Sequence, residues 1–266
     1  MKRSRMVQIA ILAVVLSVMV GITVYSDTIP PISVVASQSM QHSTSWEPGI
    51  INTGDMVFIR HVPDPANLVQ TYVTGSNSNY SSYGEYGNVI IYTASNGDQI
   101  VHRPLFYLYW NNGQPMVQGY HGQNWIIITS SYVLLKDIGY AHRSIVVYVS
   151  QFKGIDGYIT AGDYNLGSAG QQLYVPSLGA YAAADQDFGG YLLGFYDPPV
   201  NYSQVVGIAY GYIPWLGLIK LEVTWTLGLE KQENPVPSGS LEYLGIIIAA
   251  VAVMAAFPYN RVLKKK

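Results

Sequence analysis

Residues 6–25, MVQIAILAVVLSVMVGITVY, run for twenty positions without a charged side chain. As a helix the run rises about 30 Å, the thickness of a bilayer's hydrocarbon core. A stretch this uniformly apolar has no polar face to show to water, which leaves a membrane span or the core of a secretory signal. A cleaved signal ends in small residues of Ala-x-Ala type and usually has an apolar core of about 7 to 15 residues. Thr23, Val24, Tyr25 and Ser26 offer no such ending, so the run is expected to remain as an anchor. A second run, residues 243–257 (YLGIIIAAVAVMAAF), is shorter, uncharged and bordered by Tyr243 and Tyr259. It is expected to form a second span over residues 242–259, with a buried core helix as the alternative.

The ionisable residues sort by region. Lys2, Arg3 and Arg5 precede the first run, and Arg261, Lys264, Lys265 and Lys266 follow the second, whereas residues 26–241 hold 15 acidic and 7 basic side chains. The positive-inside tendency therefore places the N-terminus (residues 1–5) and the basic tail (residues 260–266) in the cytoplasm and residues 26–241 outside. An acidic middle of this kind excludes a nucleic-acid partner, because phosphate binding needs the opposite sign. It suits an acidic exterior, where protonation relieves self-repulsion among carboxylates. The absence of cysteine rules out disulfides and thiolate metal sites, so an outer domain must rest on its core alone.

Inside the outer segment the periodicity is that of strands. MVFIRHV (56–62), NVIIYTA (88–94), QIVHRPLFYLYW (99–110), NWIIITSSYVLL (124–135), SIVVYVS (144–150) and VVGIAYGYI (205–213) are short β-branched and aromatic runs between Gly, Asn, Pro and Asp. The Ser/Asn/Gly/Tyr stretch 74–87 and the Gly/Ala/Gln/Asp-rich stretch 166–194 read as surface excursions, and no soluble helix is expected. The fold class is therefore mainly β.

The chemistry concentrates around residues 34–55, VVASQSMQHSTSWEPGIINTGD, a loop that delivers Ser39 next to a hydrophobic anchor. Taken alone, Ser-x-Ser-Met also suits a surface loop. A nucleophilic serine needs a base, and His102 stands out among the five histidines because Ile100-Val101-His102 is an apolar strand run that holds a ring rigidly. An acid that orients the imidazole completes such a pair, and Asp163, in a Gly-Asp turn, and Asp197, in FYDPPV, are the candidates, each also a plausible turn former. Asp185 and Asp187 are rivals, preferred if the 166–196 stretch folds over the site. A lysine base would have to be Lys136, Lys153, Lys220 or Lys231; only Lys220 has an apolar strand-like context, in Leu218-Ile219-Lys220-Leu221.

These residues carry a resemblance. Ser37-Gln38-Ser39-Met40, Gly54-Asp55-Met56-Val57, Gly87-Asn88-Val89-Ile90, Ile100-Val101-His102-Arg103, Thr160-Ala161-Gly162-Asp163-Tyr164-Asn165 and Val206-Gly207 with Ile213-Pro214-Trp215-Leu216-Gly217 follow the anchor in the order found in type I signal peptidases of the archaeal and endoplasmic-reticulum type. In that family histidine replaces the bacterial catalytic lysine. The resemblance implies a signal-peptidase-like β catalytic domain between two transmembrane helices, with insertions near 106–158 and 166–196. It implies a serine endopeptidase that removes signal peptides at the outer membrane face, with Ser39 as nucleophile, His102 as general base, Asp163 and Asp197 as acids and Ser37 as an oxyanion donor. No cofactor or metal is required. The implied partners are signal peptides of preproteins, the lipid bilayer and the protein translocation channel, at a multi-pass location in the cell membrane. The chain departs from the family pattern at Gln38, at Ala161 and in the long spacing from Asn165 to Asp197. The competing expectation is a non-catalytic, membrane-tethered binding or envelope protein with a degenerate peptidase fold.

Overall fold

The computed structural model describes residues 3–187, 198–229 and 235–256. Helix α1 (Arg3–Ser26) leads into β1 (Ile32–Val34) and β2 (Met56–Arg60), then α2 (Pro65–Leu68), α3 (Tyr72–Ser78) and a small hairpin, β3 (Ser81–Ser82) with β4 (Glu85–Tyr86). Strands β5 (Ile90–Thr93), β6 (Gln99–Asn111), β7 (Gln114–Val117), β8 (Ile126–Ile128), β9 (Tyr132–Ile138), β10 (Arg143–Tyr148) and β11 (Gly157–Ala161) follow. The rest comprises α4 (Asp163–Gly167), β12 (Tyr174–Val175), β13 (Ala180–Tyr181), β14 (Val205–Ile213), α5 (Leu218–Thr226) and α6 (Ser240–Ala256). The protein is mainly β, as its periodicity predicts. The run over 124–135 splits into β8 and β9 because Thr129 Oγ1 accepts from the N–H groups of Ser131 and Tyr132 and turns the chain.

The larger sheet has the order β1-β2-β14-β5-β6-β11, with β7 adding to the far end of β6, and the second has the order β12-β13-β10-β9-β8. Strand β6 joins the two halves. Its first residues, Gln99 to His102, pair with β5, and from Arg103 onward it pairs with β11. The largest core cluster lies between the outer half of β6 and the second sheet, where Leu105, Phe106 and Leu108 meet Val133, Leu135, Ile145 and Val147. Residues 106–158 supply β8, β9 and β10 of the second sheet, whose other two strands, β12 and β13, come from residues 174–181, and about half of this core.

The 74–87 stretch is exposed over residues 77–81 and ordered as the end of α3 and the β3–β4 hairpin, whereas within the 166–194 stretch residues 182–187 are buried rather than on the surface. Soluble helices do form: α3 starts at a reciprocal cap in which Thr71 Oγ1 accepts from Thr74 N–H and Thr74 Oγ1 accepts from Thr71 N–H. Lys220 lies on helix α5, not on a strand.

Helix α1 contains an 18-residue window, Ile9–Ser26, with mean hydropathy 2.4 and 6% of it buried, long and apolar enough to cross a membrane. Its end docks on the larger sheet, where the Ser26 carbonyl accepts from His61 N–H at 2.7 Å and Tyr25 lies edge-on to Tyr210. Helix α6 has 17 residues, and its first turn sits beside Trp46 and Trp215, with Tyr243 5.0 Å from the Trp215 ring. At about 25 Å of rise it is shorter than a typical span.

Sequence-distant boxes meet at Asp55. Gly54, at φ +90, turns tightly under the Leu218 side chain, and the buried Asp55 carboxylate accepts from Asn52 N–H at 2.9 Å and Trp215 N–H at 3.2 Å. Burial outweighs these bonds and pushes its pKa from 3.8 up to about 6. Between those values the folded state holds a proton that the unfolded chain has released, so this group's contribution is complete below about pH 4 and is lost as pH rises through 6. The loss is roughly 3 kcal/mol. Thermal unfolding followed by circular dichroism should show a midpoint that falls between pH 4 and 6, and Asp55→Asn should remove that component; an unchanged slope in the variant would assign it elsewhere.

Candidate active site

Ser39 is held in place through its own backbone and through its neighbours. Met40 is buried against Val57, Ile91 and Ala209, so the loop is anchored to the sheet immediately after the serine. The Gln41 side-chain oxygen accepts from Thr53 N–H at 3.0 Å and from its hydroxyl at 2.6 Å. The Ser39 carbonyl accepts from Tyr164 N–H at 2.9 Å. Gly162 allows this approach, because a Cβ there would overlap the Ser39 carbonyl oxygen and lie 2.9 Å from its Cβ. The glycine before Asp163 thus makes room for the nucleophile loop.

That contact brings Ser39 to the strand end where His102 lies. Ala161, next to Gly162, pairs with Arg103, next to His102. His102 is 3% exposed and its Nδ1 lies 2.6 Å from Oδ2 of Asp185, which is fully buried. The same oxygen accepts from the hydroxyls of Thr160 at 2.8 Å and Tyr92 at 3.3 Å. Asp185 reaches this position because residues 182–187 run along β11: Asp185 N–H donates to the Thr160 carbonyl at 2.9 Å, and Thr160 N–H donates to the Gln186 side chain at 2.7 Å. A carboxylate on Nδ1 makes that nitrogen the donor and leaves Nε2 as the base.

The Ser39 hydroxyl accepts from Ser37 Oγ at 3.1 Å, and among the described residues no hydrogen bond joins it to His102. Catalytic hydrogen bonds are commonly loose without substrate. Among the described residues the Ser39 N–H has no acceptor, which leaves it available to an oxyanion, with Ser37 Oγ beside it.

Asp163 occupies a different position from the one expected. It forms a two-pronged pair with Arg103, Nε to Oδ1 and Nη2 to Oδ2 both at 2.8 Å, and its Oδ2 lies 3.3 Å from His42 Nε2. Burial pushes the Asp163 pKa up, but the Arg103 guanidinium and the hydrogen bonds from Arg103 and His42 outweigh it and hold the carboxyl below the usual range. Arg103 also donates to the carbonyls of Ser82, Glu85, Tyr86 and Gly87, tying the β3–β4 hairpin to the strand that carries His102. His42 stacks on Tyr140 at 4.3 Å. Asp163 is thus part of a clamp on the nucleophile loop, and the acid beside His102 is Asp185. Asp197 and Lys231 lie outside the described residues.

The chain matches no family model and no curated protein. What it can do chemically rests on this geometry. Asp187 accepts from Tyr148 N–H at 2.8 Å, at the second sheet. Lys136, Lys153 and Lys220 are exposed, outside the buried surroundings of His102. The geometry thus comprises a buried carboxylate–imidazole pair, His102 with Asp185, and a serine hydroxyl, Ser39, bonded to Ser37.

Proposed function

We propose that the protein is a membrane-anchored serine endopeptidase of the signal peptidase type, in which Ser39, His102 and Asp185 form the catalytic unit. The observation that carries this reading is the 2.6 Å contact between His102 Nδ1 and the buried Asp185 carboxylate, next to the strand end that holds Ser39. Ser39 Oγ attacks the scissile carbonyl while His102 Nε2 takes its proton. Asp185 stabilises the resulting imidazolium, and the Ser39 N–H and Ser37 hydroxyl receive the oxyanion. The imidazolium then protonates the leaving amine, and water, activated by the same ring, releases the acyl group. No cofactor enters this sequence.

In the same reading α1 and α6 both cross the membrane, the catalytic domain lies outside, both termini are cytoplasmic, and the substrates are secretory preproteins met at the bilayer, beside the translocation channel. An extended substrate pairing with a sheet edge and presenting small side chains accounts for selectivity without charge. The test is preprotein cleavage by the full chain in membranes. Ser39→Ala and His102→Ala should each remove cleavage while leaving membrane insertion intact, and the double variant should lose no more than either one, because the two act as a unit. Cleavage by Ser39→Ala at the parent rate would remove the serine mechanism. A non-catalytic binding protein is the second reading, favoured by the Ser39 hydroxyl being engaged with Ser37 rather than with His102; absence of cleavage by the parent chain itself would select it.

A further inference from the structure

Helix α5 is apolar on two opposite sides. Leu218 and Leu221 are fully buried against Leu244 of α6, as a surface helix requires. The side turned away from the protein is apolar as well: Ile219, Val223 and Leu227 are 47%, 53% and 65% exposed and recur every four residues, one stripe along the helix. Leu229, just beyond the helix, extends it at 71% exposed. Lys220 and Glu222 flank the stripe with opposite charges. Beside it, Met56 and Leu216 border with Ile219 and Val223 an open groove of about 420 Å³. A helix bathed in water would carry polar residues where this stripe lies, so the stripe has another environment.

We propose that this face of α5 lies in the interfacial layer of the bilayer, a lipid-facing ledge on the catalytic domain. The inference rests on the reading of α1 and α6 as membrane-rooted, and it adds a third point of contact. Continuity with α6 argues for lipid. Leu244 is the α6 residue that packs on α5, and from Ile246 onward α6 exposes Ile246, Ile248, Val251, Val253 and Met254, each more than half exposed. The α5 stripe therefore begins at the level where α6 becomes apolar all round. Trp46, Trp215 and Tyr243 cluster at that level, the position aromatic rings take at a membrane surface. A protein partner fits less well, because a stable interface takes roughly 800 Å² from each side, more than a one-helix stripe supplies. The opposite charges of Lys220 and Glu222 cancel and leave the attraction apolar, so zwitterionic lipid suffices.

The natural absence of cysteine allows a direct test. Full-length Val223→Cys, Leu227→Cys, Val14→Cys and Ser130→Cys variants, each carrying a small fluorophore, are placed in phosphatidylcholine vesicles and exposed to brominated phosphatidylcholine or to aqueous iodide. Labels at 223 and 227 should lose fluorescence to the brominated lipid and resist iodide, as the α1 label at 14 does, whereas the label at 130, in the β8–β9 turn, should show the reverse. Quenching of 223 and 227 by iodide would overturn the ledge, and protection from both quenchers would assign the face to a protein partner and equally overturn it. The label at 14 separates failure of the anchor reading from failure of this one. Ile219→Gln with Val223→Gln and Leu227→Gln should retain cleavage of a soluble peptide and lose cleavage of a membrane-embedded preprotein; equal effects on both substrates would count against the ledge.

Discussion

Asp185→Asn is expected to lower kcat between about 10² and 10⁴-fold without unfolding the domain. The Asp185 oxygen that faces His102 accepts three hydrogen bonds, from His102, Thr160 and Tyr92, while its other oxygen, buried, has no partner among the described residues. An asparagine can keep its carbonyl oxygen on the three donors and place its amide at the vacant side. What disappears is the charge that stabilises the imidazolium formed as Ser39 loses its proton. Single-turnover cleavage of a preprotein, with thermal unfolding of the same samples, is the measurement. A drop in kcat with an unchanged unfolding midpoint supports the assignment. Cleavage indistinguishable from the parent would remove Asp185 from the mechanism, and with it the geometric reason for choosing it over Asp163 or Asp187.

Arg103→Met is expected to destabilise the domain by about 3–5 kcal/mol, because removing one partner of a buried ion pair strands the other. The loss extends beyond Asp163. The guanidinium also serves the carbonyls of Ser82, Glu85, Tyr86 and Gly87, four acceptors that no methionine can satisfy. At two to four degrees per kcal/mol for a domain of this size, the unfolding midpoint should fall by roughly 10 °C. The pH dependence carries a sign opposite to that of Asp55. Asp163 has a lowered folded pKa, so its contribution is present above the unfolded value of 3.8 and is lost as pH falls through the lower folded one. The variant should therefore unfold at a midpoint that changes less between neutral and strongly acidic pH than the parent's does. Adding Asp163→Asn to Arg103→Met should recover part of the loss by removing the stranded charge. If Arg103→Met unfolds like the parent, the clamp contributes nothing to stability and Asp163 is free for another role.

The clamp and the histidine pair show what could be read from the chain and what could not. Ser39 and His102 were visible because each sits in a local context that says something by itself, one beside a buried methionine and one in an apolar strand. Asp163 also had a local context, the Gly-Asp turn after β11, but its carboxylate is bound by Arg103, one residue along from His102. Strand alternation sends adjacent side chains to opposite faces, so a one-residue difference separates the acid that meets His102 from the acid that meets Arg103. The sequence did show that residues 182–187 are rich in alanine and aspartate. It did not show that they line the edge of β11, because hydrogen bonds such as Asp185 N–H to the Thr160 carbonyl have no local signature.

By itself the sequence determined the apolar helix at the N-terminus, the six strand-forming runs, the acidic balance of the middle segment and the serine and histidine worth testing. Each is a property of composition or of a period of two to four residues, decided by local sterics and by transfer from water. The tertiary structure decided that strands from residues 126–148 and 174–181 build a second sheet, that α5 is a helix with apolar faces on both sides, and that Asp185 lies on His102 across 83 positions of chain. Closing a loop of that length costs little more than closing one of half the length, so chain entropy does not choose the partner. The choice falls to the buried hydrogen bonds of Thr160 and Gln186, which exist only once β11 is in its sheet.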